Sequence, residues 1–153
     1  MIQRIQTLYL LLAAAAMAAA LFLPWGAFFG ADGTVYSYEA FSVARRVGEG
    51  SAGISFWALG AILSVCALSS LVAVFFFHKR LTQVRFCVFN MLALIGFYLA
   101  YLVFLWVTIR RLDASFGLNF GISLPFVALI FEFLAMNAIL NDEKKVRAYE
   151  RIR

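Results

Sequence analysis

Residues 121–140 read GISLPFVALIFEFLAMNAIL, a run of 20 residues with one charged side chain, Glu132. A helix that crosses a membrane needs about 20 mostly apolar residues, so this run predicts a transmembrane helix. Three further apolar runs have similar length and character, near Ile5–Trp25, Ile54–Phe77 and Phe86–Ile109. Because all four runs are continuous rather than alternating, they indicate helices and not the strands of a barrel. The sequence therefore predicts an all-α membrane protein, an antiparallel bundle of four transmembrane helices.

The composition agrees with a membrane protein. The chain has 153 residues, which is enough for one domain, and 65% are hydrophobic while 14% are charged. An ordinary soluble domain is about half apolar and about one quarter charged. Because small domains bury a limited fraction of their surface, lipid must solvate much of this apolar side-chain area. No basic stretch stands on a soluble domain of its own, so the sequence predicts no nucleic-acid partner.

The cysteines indicate neither redox nor metal chemistry. Cys66 and Cys87 lie in separate apolar runs, and no CxxC pair or Cys/His ligand spacing occurs. A buried free cysteine behaves as a small apolar residue. The sequence thus predicts no catalytic residue, no cofactor and no metal site.

The first apolar run has an alternative interpretation as a secretory signal peptide. Arg4 would be its basic start and Ala18–Ala20 its cleavage region. The run continues through Leu21–Leu23, however, and is too long for a typical signal-peptide core. We therefore expect a retained helix that Pro24 ends or kinks near its outer end.

The placement of lysine and arginine predicts the orientation, because short cytoplasmic loops carry an excess of both. One side of the predicted bundle carries four positive charges: Arg45, Arg46, Arg110 and Arg111. The other side carries nine: Arg4, Lys79, Arg80, Arg85, Lys144, Lys145, Arg147, Arg151 and Arg153. This distribution predicts that both termini are cytoplasmic. It also makes His78–Arg85 a tight cytoplasmic turn between the second and third helices.

The outer loops carry signals for a small β element. Gly26–Gly53 is the longest loop, and its segment Val35–Phe41 is rich in β-branched and aromatic residues. This segment favours a short strand or hairpin, for which the second outer loop, Arg110–Phe120, can supply a partner strand. A helix over Ser37–Val47 is the competing prediction, because periodicity does not decide over so short a stretch.

Three tryptophans fall near the predicted outer ends of the helices: Trp25, Trp57 and Trp106. Tryptophan is enriched at membrane–water interfaces, where its ring contacts lipid and its N–H contacts water. We therefore expect the three side chains to form part of an interfacial belt.

Glu132 is the residue most informative about chemistry. A carboxylate at the bilayer centre costs about 2.5–3.5 kcal/mol on insertion scales, so such residues usually face the bundle and have a partner. The predicted partners at similar depth are the hydroxyls of Tyr98 and Tyr101, with Ser64, Ser69 and Ser70 as other candidates. Glu132 is either a proton or cation site, or a hydrogen-bonding group that holds helices together.

Two asparagines form a second candidate polar pair. Asn90 and Asn137 each lie about one turn inside the predicted cytoplasmic end of their helices. They are therefore placed to meet across the interface between the third and fourth helices, as packing contacts.

The end of the chain changes abruptly to charged residues, and residues 141–153 are predicted to be a cytoplasmic tail. Its five basic residues are either topology anchors or contacts for a protein partner or anionic lipid: Lys144, Lys145, Arg147, Arg151 and Arg153. Glu143 and Arg147 are four residues apart, which favours a helix that extends the last span or lies along the headgroups.

Both ends of the chain carry a recognisable pattern. The start MIQRIQTLYLLLAA and the finish NAILNDEKKVRAYERIR resemble a family of small four-helix membrane proteins of Bacteroidota, a domain of unknown function. The resemblance covers essentially the whole chain and implies an inner-membrane protein, with no catalytic residue, substrate or cofactor to carry over. By analogy of layout alone, four helices with a long first outer loop are also similar to claudin-like proteins.

Three functions compete at this point. The first is a non-enzymatic accessory or scaffold subunit of an envelope complex, in contact with lipid and with a protein partner or a second copy of the chain. The second is a small transporter or channel component that uses Glu132. The third, a quinone-linked thiol oxidoreductase, needs paired reactive cysteines near the outer face, whereas Cys66 and Cys87 lie on different helices at different depths.

Overall fold

The computed structural model describes residues 3–30, 33–45, 51–55, 57–76 and 79–152. Four helices make up most of the chain: α1 Gln3–Phe22, α2 Trp57–Phe75, α3 Arg80–Leu112 and α4 Ser123–Ile152. Each helix contains a span long and apolar enough to cross a membrane. Leucines such as Leu68, Leu92 and Leu99 lie more than half exposed on the outer surface of the bundle. Such a surface is stable in lipid, where apolar side chains need no burial.

The helix ends differ from the sequence-based prediction at the turn between α2 and α3. The helix α3 begins at Arg80 rather than near Phe86, so the tight turn is shorter than His78–Arg85. His78 itself lies outside the described residues. No glycine or proline interrupts residues 80–85, and Gln83 is buried against the bundle, so the helix continues through this basic segment.

The charged tail extends the last membrane span. The helix α4 runs without a break to Ile152, in agreement with one of the two alternatives for the tail. An ion pair joins Asp142 of α4 to Arg80 at the start of α3, with 3.2 Å between Arg80 Nη2 and Asp142 Oδ2. Glu143 Oε2 lies 4.0 Å from the same guanidinium. These contacts place the α2–α3 turn beside the point where α4 becomes polar.

The outer loops form a five-stranded antiparallel sheet, larger than the predicted hairpin. Its strands are β1 Gly26–Phe29, β2 Val35–Tyr38, β3 Ser42–Arg45, β4 Ser51–Ser55 and β5 Ser115–Leu118. The spatial order is β4-β3-β2-β1-β5. The second outer loop therefore does supply a partner strand, since β5 pairs with β1 and sets Phe28 opposite Phe116. The competing helix over 37–47 is wrong within its described part, residues 37–45, which forms strands; Arg46 and Val47 lie outside the described residues.

The prediction that Trp25 belongs to an interfacial belt is wrong. The Trp25 side chain is fully buried under the sheet, whereas Trp57 and Trp106 are exposed as predicted. The Trp25 indole donates a hydrogen bond to the carbonyl of Ala20 at 2.8 Å and packs edge-on against Tyr38 and Phe97. Burial also raises the pKa of Tyr38, so its hydroxyl stays neutral. Aromatic packing thus holds the sheet on the end of the bundle.

Candidate functional site

Three helices place polar side chains at one depth inside the bundle. Ser70 on α2, Asn90 on α3 and Glu132 on α4 are each fully buried. Asn90 follows Arg80 by 10 residues and Glu132 precedes Asp142 by 10 residues. At 1.5 Å per residue, both lie about 15 Å from the Arg80–Asp142 ion pair, which is about half the thickness of a bilayer core. The polar side chains therefore meet near the middle of the spans.

A hydrogen-bond network joins Ser69, Ser70, Asn90 and Glu132, which we call the Glu132 cluster. The Asn90 amide Nδ2 donates to Glu132 Oε1 at 2.9 Å and to Ser70 Oγ at 2.8 Å. The Ser70 hydroxyl donates to the same carboxyl oxygen, and the Ser69 hydroxyl donates to Asn90 Oδ1. One carboxyl and one amide thereby link α2, α3 and α4.

The second carboxyl oxygen of Glu132 has a different environment. Glu132 Oε2 is buried, and no N–H or O–H group in the described part of the chain donates to it. The buried thiol of Cys87, which lies one turn before Asn90 on the same face of α3, faces this carboxyl. Because an ionised carboxyl only accepts hydrogen bonds and a protonated one also donates, Oε2 is the atom placed to carry a proton. The two donors to Oε1 are satisfied in either protonation state.

Apolar side chains close the bundle on both sides of the Glu132 cluster. Toward the Arg80–Asp142 ion pair, the packed layer consists of Leu10, Ala73, Cys87, Ala135 and Ile139. Toward the sheet, the core continues through residues of all four helices, including Met17, Leu63, Leu94, Phe97 and Ala128. All of these side chains are fully buried. Close-packed apolar layers therefore lie on both sides of the cluster, and the buried amides of Gln6 and Gln83 lie about one turn beyond the layer on the ion-pair side.

The predicted tyrosine partners of Glu132 lie elsewhere. The Tyr98 hydroxyl donates to the carbonyl of Ile122 at 2.7 Å, near the start of α4. The Tyr101 ring stacks on Tyr38 with 5.4 Å between ring centroids, beneath the sheet. Both tyrosines follow Asn90 by two turns or more along α3, so they lie too close to the outer end to reach Glu132. The serine candidate Ser70 does donate to the carboxyl.

The predicted pairing of Asn90 with Asn137 is wrong. Asn137 is half-buried and makes no hydrogen bond to a described residue, while both amide atoms of Asn90 are bonded within the Glu132 cluster. The physical reason is the early start of α3 at Arg80, which puts Asn90 deeper in the bundle than one turn from the helix end. Asn90 is thus level with Glu132, five residues before Asn137 on α4.

The basic residues of the tail lie on the continuation of α4. Lys144 and Lys145 are exposed, as lipid or partner contacts must be. Arg147 and Arg151 belong to the same helix, with side chains outside the described part, and Arg153 lies outside the described residues.

Cys87 is the member of this region that the sequence-based reasoning missed. Its signal was the spacing of three residues between Cys87 and Asn90, which puts both side chains on one face of α3. Among the residues that the structure describes, no group of three or more His, Cys, Asp or Glu side chains is arranged to hold a metal ion. The arrangement can hold helices together and can hold one proton on Glu132.

The comparison with family models agrees with the resemblance noted at the two ends of the chain. A domain of unknown function, DUF4293, matches residues 2–152, which is nearly the whole chain. No curated protein matches the chain. The match indicates no catalytic family. The chain belongs to the DUF4293 family, whose members share this domain of unknown function.

Proposed function

We propose that this chain is a non-enzymatic integral protein of the bacterial inner membrane that serves as an accessory or scaffold subunit of an envelope complex. The observation that carries the proposal is the buried Glu132 cluster. Its carboxyl accepts hydrogen bonds from side chains of two other helices. These bonds hold α2, α3 and α4 together at a depth where lipid cannot solvate a polar group. A rigid bundle of this kind is suited to hold other chains in place.

The apolar core between the Glu132 cluster and the sheet also favours a structural role over transport. A transported ion needs polar groups at successive depths to replace its water shell. Toward the sheet, the described core beside the cluster is packed and apolar. Toward the ion pair, the buried amides of Gln6 and Gln83 lie about one turn beyond the apolar layer. The packed core on the sheet side therefore favours a contact between helices over a continuous polar path through the bundle.

The proposed orientation places both termini in the cytoplasm and the sheet on the opposite side. It is supported by nine basic residues on the side of the termini against four on the side of the sheet. The sheet and the exposed tail then offer contacts on both membrane faces, to a protein partner or to a second copy of the chain. We take the sheet edge at β5 and the residues Lys144 and Lys145 as the first surfaces to examine.

Affinity purification of the full chain from native membranes after mild crosslinking tests the scaffold proposal. We expect one recurrent partner, or a defined oligomer, at constant ratio in independent preparations. Glu132→Ala removes the hydrogen bonds that join α4 to α2 and α3, and it is expected to lower recovery of the complex. Leu68→Ala, at an exposed position on α2, is the matched control. Recovery of monomer alone, with no recurrent partner, would contradict the proposal.

Transport through the chain is the second candidate, and one observation favours it. No N–H or O–H group of the described residues donates to the buried Glu132 Oε2, and the Cys87 thiol beside the carboxyl is a weak donor, so a proton acceptor is left inside the bundle. A small transporter or channel component that uses this carboxyl would lose proton- or cation-coupled flux in vesicles on Glu132→Gln. Flux that is absent from the wild type, or unchanged in the variant, removes this candidate.

A further inference from the structure

Arg85 is an exposed cation on the outer surface of α3. Its side chain is exposed, and it forms no ion pair or hydrogen bond with any residue that the structure describes. Arg80, five residues earlier, is by contrast paired with Asp142. At 1.5 Å per residue, Arg85 is about 7.5 Å farther into the span than that ion pair. A guanidinium at this depth requires a counter-charge or an extended side chain that reaches the headgroups.

The geometry of α3 sends the Arg85 side chain toward the headgroups. Side chains of a helix tilt toward its N-terminus, and the N-terminus of α3 is the end at the Arg80–Asp142 ion pair. The residue one turn nearer that end on the same face is Thr82, a half-buried hydroxyl. Guanidinium and hydroxyl therefore lie next to each other at the boundary between the span and the headgroups.

A groove of about 400 Å³ adjoins this pair, and its lining includes Thr82, Arg85, Phe86 and Phe89. The surface inside the groove is almost wholly apolar, so Thr82 and Arg85 line it with their apolar atoms. The rest of this lining is formed by Phe86 and by Phe89, which is half exposed and lies one turn deeper in the span. The groove is thus an apolar surface suited to an acyl chain, with the charge of the exposed Arg85 beside it at headgroup level.

We propose that this groove binds one anionic phospholipid. The guanidinium of Arg85 donates two hydrogen bonds to the lipid phosphate, in the forked geometry that arginine offers to phosphate oxygens. The Thr82 hydroxyl donates to a third oxygen, and the acyl chain lies along Phe86 and Phe89. A net negative headgroup, as in phosphatidylglycerol, matches the uncompensated charge at this position. The site is separate from the tail lysines, which lie beyond the ion pair on α4.

Native mass spectrometry of the full chain in detergent tests the proposal. The protein is titrated with phosphatidylglycerol and, separately, with phosphatidylcholine of the same acyl chains. We expect one phosphatidylglycerol to be retained in preference to phosphatidylcholine. Arg85→Gln is expected to weaken phosphatidylglycerol binding about fivefold or more, the effect of one basic residue near an anionic headgroup. Arg85→Lys is expected to retain part of the preference, because it keeps the charge without the fork.

Lys144→Gln is the matched control, since it removes another exposed positive charge, one that lies outside the groove. It is expected to leave binding at the wild-type level. Arg85 is exposed, so neither substitution at this position removes a core contact. Equal binding by Arg85→Gln and wild type overturns the proposal, as does an equal loss in Lys144→Gln. Competition by glycerol phosphate, which lacks acyl chains, would assign the site to a soluble phosphate and would also overturn it.

Discussion

Replacing Asn90 with leucine removes the amide that joins three helices. Asn90 donates to Ser70 at 2.8 Å and to Glu132 at 2.9 Å, and it accepts from Ser69. Interhelical hydrogen bonds in membranes average about 0.6 kcal/mol, so the loss of three lowers the free energy of unfolding by about 2 kcal/mol. This corresponds to about a thirtyfold change in the unfolding equilibrium constant. Leucine has similar volume, so no large cavity adds to the cost.

The measurement is unfolding of the purified chain in mixed micelles at increasing fractions of a denaturing detergent, followed by circular dichroism. Asn137→Leu is the matched control, because Asn137 has no hydrogen bond to a described residue and is half-buried on α4. It is expected to change the unfolding free energy by less than about 0.5 kcal/mol. If Asn90→Leu and Asn137→Leu have the same effect, the Glu132 cluster does not hold the helices together and the reasoning is refuted.

Two other substitutions test close approaches and the ion pair. In Gly121→Ala the new Cβ would lie 2.4 Å from the carbonyl oxygen of Pro24, so the free energy of unfolding should fall by about 2 kcal/mol in a thermal unfolding experiment. Gly96→Ala is the control: its Cβ meets open space, so the substitution should be neutral or slightly stabilising. A similar loss in both alanine variants would contradict the close packing of Gly121 against Pro24. Arg80→Gln should cost about 1 kcal/mol, because the Arg80–Asp142 pair is only partly buried, and the cost should fall at high salt. A double-mutant cycle with Asp142→Asn that gives no coupling energy would exclude that contact.

The local pattern of the sequence predicted the four spans and part of the sheet. Apolar runs of about 20 residues indicate helices because every backbone polar group must be bonded within the membrane. The segment Val35–Phe41 indicated a strand through its β-branched and aromatic residues, and Val35–Tyr38 is a strand. The start of α3 was predicted too late because four of the six residues 80–85 are polar, although polar residues end a membrane span without ending a helix.

The sequence predicted the hydrogen-bond partners of Glu132 only in part. Glu132 was identified as the buried polar residue from its position in an apolar run, and Ser70 was among its candidate partners. The choice of Asn90 over Tyr98 depends on how far each helix is displaced along its axis and how it is rotated. Lipid is as apolar as the core, so the apolar side chains of α1, α2 and α3 do not mark an inward face.

The sequence by itself determined that this protein has four helices able to span a membrane, a strand-forming outer loop, and one carboxyl that needs a partner inside the bundle. Hydropathy and residue type are local properties, and each of these features follows from a single stretch of chain. Only the tertiary structure decided that Trp25 lies under a five-stranded sheet, that β5 pairs with β1, and that Asn90 meets Glu132. These are contacts between distant segments, fixed by packing and by the pairing of buried polar groups.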